Sequence, residues 1–109
     1  MTEVPHTTLD LDAMRTHAGE AVALLKVLGN VDRLMLLCQL SEQARTVGEL
    51  EALTGIGQPT LSQQLGVLRR EGLVATEREG KYIRYALADA RALALMQRIH
   101  QLFCEEGAA

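Results

Sequence analysis

The chain has no tryptophan, one phenylalanine and two tyrosines among its 109 residues. A core without aromatics must be built from leucine, alanine, valine, isoleucine and methionine, and such a core suits packed helices. The same shortage, with no phosphate-binding loop and no Ser-His-Asp arrangement legible in the sequence, argues against a nucleotide pocket and against an enzyme. There are only two cysteines, Cys38 and Cys104. That excludes a disulfide scaffold, and in a reducing compartment the plain expectation is two buried thiols. No apolar run approaches the roughly 20 residues that a membrane span requires. The opening "MTEVPHTTLDLDAM" lacks a basic segment followed by an apolar one, so nothing marks it for export and a cytoplasmic location is expected. Positive charge is not in excess either: the formal net charge is −3.

What is present is helical periodicity. The length fits one domain, 1–109, and so small and aliphatic a chain points to a core completed by dimerising. Residues 1–10 are polar, contain Pro5 and show no period, as in a loose arm. Leu11, Met14, Ala18, Ala21, Val22, Leu25 and Leu28 recur at three- and four-residue steps, which predicts an amphipathic helix over 11–28 closed by Gly29 and Asn30. Asp32 is placed to start a second helix, "RLMLLCQL", apolar on most sides and so expected to be buried all round. Thr46 and Glu49 have capping-box spacing ahead of a third helix, with Val47, Leu50 and Leu53 as its buried row. Gly55 and Gly57 make a turn, Pro59 fits the first turn of a fourth helix, and Leu61, Leu65 and Leu68 face inward up to about Glu71 and Gly72. Beyond Gly72 the period becomes two: "LVATERE" and "YIRYAL", parted by Gly80-Lys81, read as a hairpin with Ile83, Tyr85 and Leu87 on one face. Asp89 opens a last helix with Leu93, Met96, Ile99, Leu102 and Phe103 as its stripe.

The order ααααββα is mainly α with a small β-hairpin. Two short helices joined by a glycine turn (46–72) and followed by a hairpin (73–87) make a winged helix-turn-helix, whose second helix enters the major groove. In "GQPTLSQQLGVLRREGLV" the face opposite the leucines carries Gln58, Thr60, Ser62, Gln63 and Gln64, which suits base edges: glutamine can pair with adenine through two bonds, and serine or threonine can donate or accept. Alone, such a face would be an ordinary solvated one. Phosphate contacts need cations, and residues 69–84 hold Arg69, Arg70, Arg78, Lys81 and Arg84 against three glutamates, the only basic excess in an acidic chain. Arg69, Lys81 and Arg84 are therefore the candidate phosphate contacts; Arg91 and Arg98 read as solvated surface charges, and His6 and His17 as surface residues.

These residues, "LSQQLGVLRREGLV" above all, resemble the ArsR/SmtB family of bacterial winged-helix transcriptional repressors, most densely from Leu24 to Leu87. The resemblance implies a homodimer held by the first and last helices (11–28 and 89–105), with one recognition helix on each half of an imperfect inverted repeat in double-stranded DNA. Where the family often has histidine, this chain has Gln64. Of the family's metal sites, one needs a Cys-Val-Cys run where Thr46-Val47-Gly48 stands; another keeps Asp89 and Glu105 but has Arg91 and Leu102 where imidazoles are needed. Both look absent, and no metal or other cofactor is expected.

One cysteine in the second helix and one at the end of the last resemble the BigR/SqrR/HlyU-like subgroup. That resemblance implies release of the operator when Cys38 and Cys104 are linked by persulfide, other reactive sulfur species or oxidants. Other readings stay open. Cys38 taken singly is a common small core residue. Cys38, His100 and Cys104 could instead hold a metal with one open position, and a winged helix can serve only to bind another protein, though the uncharged Gln/Ser/Thr face lacks the apolar anchors such interfaces favour.

Overall fold

A computed structural model describes residues 4–105. The first three residues of the expected arm and the tail after Glu105 lie outside the described residues. Five helices and three strands follow in order: α1 (Leu11–Leu28), α2 (Val31–Leu40), β1 (Arg45–Thr46), α3 (Val47–Thr54), α4 (Thr60–Arg70), β2 (Val74–Glu79), β3 (Tyr82–Leu87) and α5 (Ala90–His100), which runs into a π-helical turn, Gln101–Glu105. The winged helix-turn-helix inferred from periodicity is the fold observed.

The core is aliphatic. Leu36, Leu37 and Leu40 of α2 meet Leu50 of α3, Leu61, Leu65 and Leu68 of α4, Leu73 and Val74 at the base of the wing, and Ala92 and Met96 of α5. No polar side chain is buried among the described residues, so the core carries no desolvation penalty for unpaired groups. Its α2 contribution is one-sided, however. Val31 is 77% exposed and Met35 43%, so α2 is central without being buried all round: its second apolar face is left largely open by the described residues. The same holds for α1, where only Val27 and Leu28 are buried while Leu11, Met14, Val22 and Leu25 lie open. At the far end of the last stripe Leu102 and Phe103 are open too.

Local chemistry sets the boundaries. Asn30, not Asp32, caps α2, its side-chain oxygen accepting from the Arg33 N–H at 3.0 Å; asparagine in an extended conformation one residue before the helix is a better cap than an aspartate inside it. Thr46 and Glu49 form the expected capping box, each side chain bonded to the other's backbone N–H at 3.2 and 2.8 Å. In α3 Leu50 is fully buried, but Val47 is half-buried and Leu53 half-exposed, because eight residues offer the core little more than one apolar contact row. Gly72 adopts φ +76°, and the bonds Gly72 N–H to Arg69 O and Leu73 N–H to Leu68 O make a Schellman ending that drives Leu73 into the core.

The sheet has one strand more than the sequence pattern shows. β3 pairs antiparallel with β2 from Val74↔Leu87 to Glu79↔Tyr82, and on its other edge with β1 through Arg45↔Tyr85 and Thr46↔Arg84. Tyr85 and Leu87 pack on the core, whereas Ile83, on the same alternation, stands 45% exposed near the hairpin tip.

The burial difference within α3 has a direct test. Leu50→Ala should cost about 2–5 kcal/mol of unfolding free energy, whereas Leu53→Ala should cost about 0.5 kcal/mol or less, both measured by urea denaturation. Equal losses would show that the two leucines share the core.

Candidate functional site

Helices α3 and α4 are joined by Gly55-Ile56-Gly57, with Gly55 at φ +74°. Pro59 offers no side-chain cap; Gln58 does, its Oε1 accepting from the Ser62 N–H at 3.1 Å. Gln58 thus organises the start of α4. Thr60 is half-buried, while Ser62 and Gln63 are exposed and their side chains bond to no described residue. Gln64 is half-buried and its Oε1 accepts from Arg33 Nη1 at 2.9 Å.

The basic candidates divide likewise. Arg69 is exposed on the last turn of α4. Lys81, exposed at the hairpin tip, has its Nζ 5.5 Å from the centre of the Tyr82 ring. Arg84 is engaged inside the chain: it meets Glu79 at 2.9 Å and Glu49 at 3.3 Å, bracing the wing against α3. A phosphate at Arg84 would compete with two carboxylates. Glu49 is held below the usual carboxylate range, first by the Thr46 N–H and hydroxyl and then by Arg84 and Arg45. Sequence reasoning passed over Arg33, whose partner lies 31 residues away; no local pattern signals such a contact.

At the other end of the molecule Cys38 lines an open cleft of about 480 Å³ between α2 and α5, together with Ser41, Glu42, Met96, Gln97 and His100. Both cysteines are free thiols, Cys38 half-buried and Cys104 exposed in the π-helical turn. Burial pushes the Cys38 thiol up, and the Glu42 carboxylate and Cys104 add to the rise. A raised thiol is less often the attacking thiolate at neutral pH. His100 is turned to Glu105, 3.3 Å from Nδ1 to Oε1. Among the described residues no three or more His, Cys, Asp or Glu side chains gather as a metal would require, so Cys38, His100 and Cys104 are not assembled as a metal site. Where the family pattern would want imidazole, Arg91 pairs with Asp89 at 2.8 Å and reaches Glu20 of α1 at 3.7 Å.

Comparison with known proteins settles the family. A biofilm growth-associated repressor of Xylella fastidiosa is 50% identical over 103 residues, 94% of this chain and 89% of that protein. The chain belongs to the ArsR family. The family described as "Bacterial regulatory protein, arsR family" matches residues 30–76, which hold α2, the helix-turn-helix and the start of the wing. The crystal structure of the transcriptional repressor BigR from Xylella fastidiosa superimposes with a TM-score of 0.84 at 49% identity, covering 88% of this chain and 98% of that one. A homodimeric winged helix-turn-helix DNA-binding domain from Mycobacterium bovis gives 0.67 at 29% identity, over 92% and 95% of the two chains. As an ArsR-family chain, this protein is a DNA-binding regulator, not an enzyme.

Asp89 gives the site a measurable pH signature. It caps α5 through the Arg91 and Ala92 N–H groups, and its pKa is lowered to about 2, first by the Arg91 guanidinium. A carboxylate lowered on folding stabilises the fold above its unfolded pKa and loses that contribution as pH falls through the folded one. Asp89→Ala should therefore cost about 1 kcal/mol at pH 6, and the gap between parent and variant should close as pH falls from about 4 toward about 2. Urea midpoints along that series measure it; a gap independent of pH would mean the charge contributes nothing.

Proposed function

We propose that this chain is a homodimeric repressor that binds an imperfect inverted repeat and releases it when Cys38 and Cys104 are linked by a persulfide or an oxidant. The observation that carries the reading is the thiol pair, both free: Cys38 half-buried on α2 where that helix faces α5, and Cys104 exposed in the turn that continues α5. The dimer reading draws on the open apolar residues Leu11, Met14, Val22 and Leu25 of α1 and Leu102 and Phe103 beyond α5, an extent of exposed apolar surface that usually marks an interface, and on the homodimeric relative. Ser62 and Gln63 are the unengaged base readers of α4, and the exposed Arg69 and Lys81 are the phosphate contacts.

The chemistry balances with a persulfide R–S–SH as oxidant. The exposed Cys104 thiolate attacks the sulfane sulfur, RS⁻ leaves as the thiol, and Cys104 carries the persulfide. The Cys38 thiolate then attacks the inner sulfur of Cys104, expels HS⁻ and closes the disulfide. Two thiols and one R–S–SH give one disulfide, RSH and H₂S. A link between α2 and the end of α5 favours a dimer whose two recognition helices no longer match the half-sites, which is a shift between populations.

Cys38→Ser and Cys104→Ser should each bind the operator when reduced and fail to release it under persulfide. The oxidised parent should run at monomer mass on non-reducing gels and melt higher, since closing a loop of this length is worth roughly 4 kcal/mol in the chain-entropy model. Intact mass distinguishes a disulfide, two hydrogens lighter, from a polysulfide with added sulfur. A dominant crosslinked dimer, or a normal response in either serine variant, would discard the mechanism.

The two kinds of DNA contact should separate. Gln63→Ala should relax base preference at one position per half-site, by about 1–3 kcal/mol. Lys81→Ala should weaken all duplexes alike and flatten the salt dependence, more than Arg84→Ala does, because Arg84 is already paired to Glu49 and Glu79. Binding assays on a duplex panel at several salt concentrations read both effects.

A further inference from the structure

The cleft that holds Cys38 is lined by two carboxylates, Glu42 and Glu105, and by one imidazole, His100. Its other lining residues are uncharged, and among the described residues no lysine or arginine lines it. The lining is therefore negative whichever state His100 is in, because one imidazolium offsets only one of two carboxylates. His100 faces Glu105 at 3.3 Å. Arg45 pairs with Glu42 at 2.8 Å, but its side chain is 11% exposed against 67% for Glu42, so a molecule entering the cleft meets the carboxylate first. A cleft lined by one sign of charge gathers the opposite sign and repels its own. At about 480 Å³ this one has room for a small organic molecule beside the thiol.

We propose that this cleft is a charge-selective entry to Cys38: it admits the cationic disulfides of small aminothiols best, uncharged disulfides next, and turns away those bearing carboxylates. The Cys38 thiolate attacks one sulfur of R–S–S–R, that S–S bond breaks, RS⁻ leaves and takes up a proton, and Cys38 carries the mixed disulfide. In the parent the Cys104 thiolate then attacks the Cys38 sulfur, expels the second RS⁻ and closes the link. Two protein thiols and one R–S–S–R give one protein disulfide and two RSH. The closing step rests on the thiol switch proposed above; the charge selection does not. It gives the site a preference in the organic group R, where thiol exchange alone has none.

Full-length Cys104→Ser isolates Cys38. The reduced variant is treated with cystamine (cationic), bis(hydroxyethyl) disulfide (uncharged) and dithiodipropionate (anionic), and intact mass follows the mixed disulfide with time. Dividing each rate by that of an uncharged small thiol, N-acetylcysteinamide, removes the reagents' own reactivity. At low ionic strength the cationic-to-anionic ratio should exceed that of the small thiol about tenfold, with the uncharged reagent between. Molar salt should bring it close to the small-thiol value. Glu42→Gln, which keeps an oxygen for Arg45, should lower the ratio about threefold, and Glu105→Gln added to it should lower the ratio further. The salt series decides the matter even if a carboxylate variant does not fold. A ratio within about twofold of the small thiol's, a ratio indifferent to salt, or a Cys38 that reacts with none of the three would overturn the inference. If the ratio holds but neither disulfide nor persulfide loosens the parent from its operator, the switch falls and the selection stands. If persulfide releases the operator while the ratio is flat, the selection falls alone.

Discussion

The fold depends on one buried surface, the face of α2 formed by Leu36, Leu37 and Leu40. All four other helices and β3 touch α2, so the entry helix, the helix-turn-helix, the wing and the exit helix are placed through a shared partner more than through one another. Hydrophobic contact is non-directional; what gives this arrangement its definition is polar chemistry at the helix ends. Asn30 starts α2, Thr46 and Glu49 start α3, Gln58 starts α4 and Asp89 starts α5. The leucines hold the elements together and the caps decide where each begins.

The placement of Cys38 follows from this. It packs against the core from the side of α2 that faces α5, on the helix that locates the DNA-reading elements. A covalent change there acts on the common partner of the four other helices and β3. Cys104 lies beyond the last core contact of α5, in a turn wound more widely than an α-helix. The i→i+5 spacing of that turn brings Glu105 to His100. His100 and Cys104 would share a face in a straight α-helix; in the observed turn His100 is engaged by Glu105, and no metal-ligating group assembles among the described residues.

Most of the architecture was legible because it rests on periodicity and local caps. The bounds of α1, the capping box of α3, the leucine row of α4, the stop at Gly72 and the hairpin are all set by neighbours within a few residues. What escaped is set by distance. β1 is two residues long, too short for alternation to register, and exists because β3 offers an edge. Val31, Met35 and Leu53 are apolar at helical spacing, yet whether an apolar residue is covered depends on what lies opposite. The candidate DNA face was legible as a set of residue types on one helix face, but its division into free and engaged groups was not. Gln64 and Arg84 are engaged by partners 31 and 35 residues away, Arg33 and Glu49, which no local pattern signals, whereas Gln58 is engaged locally at the Ser62 N–H.

The Schellman ending at Gly72 leaves no slack between α4 and the wing. Leu73 bonds back to Leu68 through its N–H, and its own carbonyl accepts from Ala88 at the exit of β3, 2.8 Å away. The segment that leaves the recognition helix is thereby locked at the foot of the hairpin it enters. On the proposed reading each protomer meets DNA as one tool with two working edges, α4 and the hairpin, whose spacing these bonds set. For two such tools on one duplex, the only free quantities are their separation and relative tilt. Fit to the operator is then a matter of calibre, like the jaws of a wrench: a small change in spacing between two unaltered copies is enough to lose both grips at once.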